Sequence, residues 1–118
     1  VSRHAAGTIV LVDWRDALPK EANKRRPAIV VEDAELFDPA WPNVVLVPLT
    51  SDQRLAIPSL SVRIEPTPEN GLDRPSWALA HAVTATSLRR VEENTLGRIG
   101  PEALEQIRRR IALALGLV

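Results

Sequence analysis

The sequence predicts an α+β fold: a compact antiparallel sheet or small barrel closed by one C-terminal helix. Three observations predict it. The apolar, β-branched segments come first and are separated by Pro- and Gly-containing loops. A single segment with helical periodicity comes last. The chain has 118 residues, enough for one core and too few for two, so residues 1–118 are expected to form a single domain.

The elements follow in order. Gly7–Trp14 (Gly-Thr-Ile-Val-Leu-Val-Asp-Trp) is β-branched and apolar and reads as a strand. Asp16–Asn23 is polar, contains Pro19 and reads as a loop. Arg26–Val31 is a second strand, with Pro27 near its start, where a missing N–H is tolerated. A loop with Pro39 and Pro42 leads to Val44–Thr50, whose Val-Val-Leu-Val run predicts a strand buried on both faces. Pro48 removes a ladder donor, so that end of the strand is expected at an edge or a bulge. Ser61–Ile64 alternates as a short half-exposed strand. Pro66–Pro75 is turn-rich and holds Asn70-Gly71, a strong turn signal. Trp77–Thr84 reads as a further strand, with helix as the alternative because of its alanines. Ser87–Val91 suggests a helical turn and Thr95–Gly100 a short strand. Pro101 then suits a first helical position, and Glu102 and Glu105 lie where the helix dipole favours acids. Leu104, Ile107, Ile111 and Leu115 form one apolar stripe, and Gly116 ends the helix.

Composition removes several function classes. There is no Cys, hence no disulfide, cysteine nucleophile or thiolate metal site. The only histidines, His4 and His81, have no metal-ligand spacing. No apolar run approaches the roughly 18 residues of a membrane span, and Val1-Ser2-Arg3-His4 carries no signal-peptide core, so a cytoplasmic protein is expected. Fifteen Lys and Arg balance fifteen Asp and Glu. A general duplex-DNA binder, whose affinity comes from phosphate neutralisation, would be basic. Two local basic clusters remain, Lys20–Arg26 and Arg108–Arg110; from position alone each is as readily a solvated face.

The segments Gly7–Asp13, Glu21, Arg26-Pro27-Ala28-Ile29-Val30-Val31 and Val45-Leu46-Val47-Pro48-Leu49-Thr50-Ser51, followed by Asn70-Gly71-Leu72, Ser76 and Leu96-Gly97-Arg98-Ile99, resemble the MazF/PemK toxin family over nearly the whole chain. The resemblance implies an SH3-like antiparallel barrel with a C-terminal helix, assembled as a homodimer. It implies a metal-independent endoribonuclease that cuts single-stranded mRNA, tRNA or rRNA at short motifs, and a cognate antitoxin whose segment lies in the RNA groove. The 2′-hydroxyl of such a substrate is its own nucleophile, leaving a 2′,3′-cyclic phosphate and a 5′-hydroxyl. The protein has to align the groups, manage protons and stabilise the added charge.

The family's catalytic residues carry over to Arg26 and Thr50. A guanidinium offers a planar fork of donors to phosphate oxygens and stays charged at every relevant pH. From position alone Arg26 is equally a strand-edge ion pair, and Thr50 an ordinary strand residue. Glu21, Lys24, Arg25, Ser51 and His81 are expected at the RNA, with Glu21 also suited to holding its loop. Where the family carries an acid, Gln, an apolar residue and Arg-Thr, this chain has His81, Ala82, Val83, Thr84 and Ala85. His81 is then a candidate base or base-reader, or a structural histidine. Trp14, beside the 16–23 loop, is the best of the three tryptophans for stacking on a base. Two alternatives stand beside the nuclease. One is a non-enzymatic, CcdB-like gyrase-binding toxin, against which the C-terminal Gly116-Leu117-Val118 counts, since that group ends in Trp-Gly-Ile. The other is a degenerate member that binds antitoxin without cutting.

Overall fold

The β-branched run after Gly7 becomes strand β1 (Thr8–Asp13), and the Arg-Pro segment becomes β2 (Arg25–Val30). The remaining strands are β3 (Asn43–Thr50), β4 (Ser61–Ile64), β5 (Ser76–Leu79), β6 (Thr84–Ser87) and β7 (Gly97–Arg98), followed by helix α1 (Pro101–Ala114). The structure is a computed structural model and describes residues 3–14 and 25–118. All pairings are antiparallel, in the order β4-β5-β3-β2-β1-β7, with β6 also on β3. The result is a curled half-barrel sheet carrying one C-terminal helix.

Period-2 alternation gives the central strands two buried faces. On one face Ile9, Ile29, Val47, Leu49, Val62 and Ile64 pack with Ile107 of the helix. On the other Val10, Val12, Ala28, Val30, Val44 and Leu46 pack together, flanked by Trp14, Leu88 and Val91. The continuous apolar run of β3 is thus buried on both sides, as its sequence predicts. Each fully buried Val, Leu or Ile contributes about 1.5–3 kcal/mol.

The expected strand Trp77–Thr84 is replaced by two shorter ones. β5 pairs with the C-terminal end of β3 (Leu49↔Ala78, Thr50↔Trp77), and β6 pairs with its N-terminal half (Asn43↔Ser87 through Leu46↔Thr84). A 3-10 turn at Ala80–Ala82 carries the chain between them along the same edge of β3. Val31 N–H donates to the Val45 carbonyl at 3.1 Å, so the odd-numbered residues of β3 direct their backbone groups toward β2. Pro48, even-numbered, therefore faces the opposite edge, in the gap between the two ladders where no donor is required. Pro48 lies inside the sheet yet meets the constraint that the sequence imposed.

Two glycines close the barrel seam. The turn at Asn70-Gly71 lies against the strand leading into β7, and Arg98 N–H donates to the Glu69 carbonyl at 2.9 Å. Gly71 has φ +69°, and a Cβ there would lie 2.1 Å from the Leu96 carbonyl oxygen; a Cβ on Gly97 would lie 2.3 Å from that of Glu69. Buried Asn70 holds the turn: its Oδ1 accepts from Thr67 N–H and Leu72 N–H, both at 3.0 Å, and its Nδ2 donates to the Glu65 carbonyl at 2.8 Å.

In α1, Ile107 is fully buried and Leu104 and Ile111 are half-buried against the same core. Leu115 departs from the expected stripe: the helix ends one residue earlier, and Leu115 is 61% exposed. Gly116 (φ +75°) terminates it as expected, with Gly116 N–H on the Leu113 carbonyl and Leu117 N–H on that of Ala112. Among the described residues no helix is long and apolar enough to cross a membrane.

Candidate active site

The β2–β3 ladder ends at Ala28↔Pro48, and Arg26 and Thr50 each lie two residues beyond that pair on their own strands. Both side chains line the same two adjoining cavities. One, of about 440 Å³, is walled by Trp14, Pro48, Leu49, Asp52, Leu55, Leu79 and Thr84. The other, of about 510 Å³, is walled by Leu11, Pro27, Ser51, Leu72, Asp73, Arg74 and Ser76. Arg26 and Thr50 thus form the ridge between two chambers, each large enough for part of an organic ligand.

Chain geometry directs the Thr50 hydroxyl. Just past the end of β3, Asp52 N–H turns back and donates to Thr50 Oγ at 3.0 Å. A hydroxyl accepting in this way keeps its own hydrogen for a further acceptor, such as a phosphoryl oxygen. Asp52 also caps the 3-10 turn Gln53–Leu55. Its Oδ1 accepts from Arg54 N–H and Arg54 Nε, and its Oδ2 accepts from Arg54 Nη2, each at 3.0 Å. Arg54 holds the Asp52 carboxyl below the ordinary carboxylate range, chiefly through the side-chain hydrogen bond and then through the backbone one. Asp52 is therefore an anion at neutral pH on the wall of the smaller chamber.

The other sequence candidates divide. Ser51 is exposed and lines the larger chamber. Arg25 alternates away from Arg26 and pairs with Glu92 at 2.6 Å, beside Asp13 and Leu88–Glu93 in a separate depression. His81 is exposed on the 3-10 turn between β5 and β6, rather than on a strand, and does not line either chamber; Leu79 and Thr84 on either side of that turn do. Glu21 and Lys24, and with them most of the Lys20–Arg26 cluster, lie outside the described residues. Trp14 is half-buried at the wall of the smaller chamber, whereas Trp77 stacks under Arg63 (5.3 Å) and half-exposed Trp41 lends its carbonyl to Arg3.

The C-terminal basic cluster is occupied with structure. Arg108 donates through Nε and Nη2 to the Val31 carbonyl (3.0 and 2.9 Å), Arg110 donates to carbonyls of the 58–59 turn, and Arg109 pairs with Glu105. Asp52 was missed by sequence reasoning. Its signal was present, an Asp in N-cap position two residues after the candidate threonine. Asp73, Arg74 and Ser76 reach the larger chamber only because the seam turn folds over it, which no local pattern announces. Among the described residues no group of three His, Asp or Glu side chains is placed to hold a metal ion.

The ridge combines a fixed positive charge with an oriented hydroxyl donor, a pairing suited to an anionic, tetrahedral or five-coordinate centre. Residues 5–115 match the family model described as PemK-like, MazF-like toxin of type II toxin–antitoxin system. A probable endoribonuclease MazF of Mycolicibacterium smegmatis is 34% identical over 94 residues, covering 80% of this chain and 83% of that protein. The fold is similar to Mycobacterium tuberculosis toxin MazF-mt6 (TM-score 0.73, 19% identity, 94% of this chain and 98% of that chain). It is likewise similar to the MazE–MazF structure from Deinococcus radiodurans (TM-score 0.71, 22% identity, 98% of both chains). The family model spanning residues 5–115 and the 34% identical relative place the chain in the family of PemK-like, MazF-like toxins of type II toxin–antitoxin systems.

Proposed function

We propose that this toxin is a sequence-selective endoribonuclease that cuts single-stranded RNA without a metal ion. The supporting observation is the shared ridge: Arg26 and Thr50 line both chambers, and the Asp52 N–H aims the threonine hydroxyl. The scissile phosphate sits on the ridge with a nucleotide on each side. The 2′-oxygen attacks the adjacent phosphorus and loses its proton, the P–O5′ bond breaks, and a proton goes to the leaving oxygen. The products are a 2′,3′-cyclic phosphate and a 5′-hydroxyl. Arg26 stabilises the charge added in the five-coordinate state, and Thr50 donates to a phosphoryl oxygen. Ser51, at the mouth of the larger chamber, binds the backbone. A cognate antitoxin, with an acidic and apolar segment, competes with RNA for the same cleft.

The test is incubation of the purified protein with long single-stranded RNA in EDTA, followed by analysis of the ends. Cyclic-phosphate ends in the parent, with cleavage slowed about a hundred- to thousandfold by Arg26→Ala, support the reading. Intact RNA refutes it, and binding to gyrase or to antitoxin alone then identifies a toxin that acts without cutting.

A further inference from the structure

Resting on that nuclease reading, we infer that the smaller chamber is a base-reading subsite selective for a nucleobase carrying an exocyclic amino group, with Asp52 as the specificity-determining residue. The chamber adjoins the Arg26–Thr50 ridge, so its occupant is the base of a nucleotide flanking the scissile phosphate. Its walls suit a flat, partly apolar ring: Trp14, Leu49, Leu55 and Leu79 supply apolar surface, and the Trp14 indole supplies a stacking face.

Among the described residues of these walls Asp52 contributes the one carboxylate. A carboxylate has about four acceptor positions. Arg54 fills both on Oδ1 and one on Oδ2, through its N–H, Nε and Nη2. One position on Oδ2 remains, on a side chain that keeps 36% of its surface exposed. It can only accept. The amino groups of adenine, cytosine and guanine donate to such a position. Uracil presents carbonyl oxygens on both sides of its single ring N–H, and a carboxylate repels them. The Arg54 brace also fixes the carboxylate's orientation, so discrimination does not depend on a mobile side chain.

Asp52→Asn tests this. Asparagine keeps the Oδ1 cap on Arg54 N–H but replaces the accepting Oδ2 with a donor. The probes are 2′-O-methyl oligouridines with one central uridine replaced by adenosine or cytidine; the blocked 2′-oxygen prevents cleavage. Anisotropy titration of the parent should show about tenfold tighter binding on that replacement, and Asp52→Asn should shrink the ratio to about twofold or less. A parent with no preference, or a ratio that survives Asp52→Asn, overturns the subsite even if unmodified RNA is cut. Selective binding that collapses in Asp52→Asn, in a protein that leaves unmodified RNA intact, supports the subsite while the nuclease reading fails.

Discussion

Thr50 shows how the function proposed for a single side chain rests on its neighbours. As a strand residue it is unremarkable; with Asp52 N–H on its oxygen, the hydroxyl becomes a directed donor beside Arg26. Thr50→Val should lower kcat by about a hundredfold or more with little change in KM, because the hydroxyl works on charge present only in the transition state. Thr50→Ser should recover most of the rate in single-turnover cleavage, since it restores both the acceptor and the donor. Asp52 makes a second residue-scale case. Its carboxyl is lowered by Arg54, so ionisation favours the folded loop. That contribution is in full above the ordinary aspartate value of about 3.9 and is lost as pH falls through the lower folded value. The group is solvent-exposed, so the effect on global stability is slight. Carboxyl-detected NMR should place the Asp52 midpoint below that ordinary value, and Arg54→Ala should return it there.

The informative elements are those whose pairing changes along their length. β3 serves β2 on one edge and both β5 and β6 on the other, and Pro48 lies where the second edge passes from one ladder to the next. The 3-10 turn joining β5 to β6 at that point has Leu79 and Thr84 on its two sides at the chamber wall and leaves His81 exposed. The seam is the second such place. Gly71→Ala would put a methyl into the Leu96 carbonyl at a left-handed backbone position. It should destabilise the fold by about 2–4 kcal/mol, read as a lower denaturant midpoint. The same turn brings Asp73, Arg74 and Ser76 to the larger chamber, so activity should fall with the fold.

At the scale of the molecule, zero net charge is compatible with the proposed RNA cleft because the charges are sorted by place. The Arg108–Arg110 basics cap carbonyls or pair on the helix, and Arg3 is buried with Glu32, its Nε 2.9 Å from Oε2 while Glu32 Oε1 accepts Val45 N–H. Removing either partner of such a buried pair strands a charge and costs about 3–5 kcal/mol. Arg26 stands on the chamber ridge. Pairing two copies would bring two such ridges into one assembly and raise the local potential felt by RNA. We propose the homodimer that the family resemblance implies: light scattering at micromolar concentration should return twice the chain mass, and a monomer there would refute it.

What the sequence determined alone was everything written in local pattern. The strands from Gly7 to Ile64 follow from β-branching and alternation, and the Asn70-Gly71 turn and the Pro101-to-Gly116 helix follow from their caps. The Arg-Pro and Pro-Leu-Thr-Ser segments in combination, with the motifs around them, also carried the family resemblance. Only the tertiary structure decided which residues share a wall. The split of Trp77–Thr84, the exposure of Leu115, the separation of Arg25 from Arg26 and the arrival of Asp52 beside Trp14 depend on register and on which edge of β3 the chain returns to. Those choices are made by contacts between segments tens of residues apart, and a one-dimensional pattern carries the period of each segment but not the partner it meets.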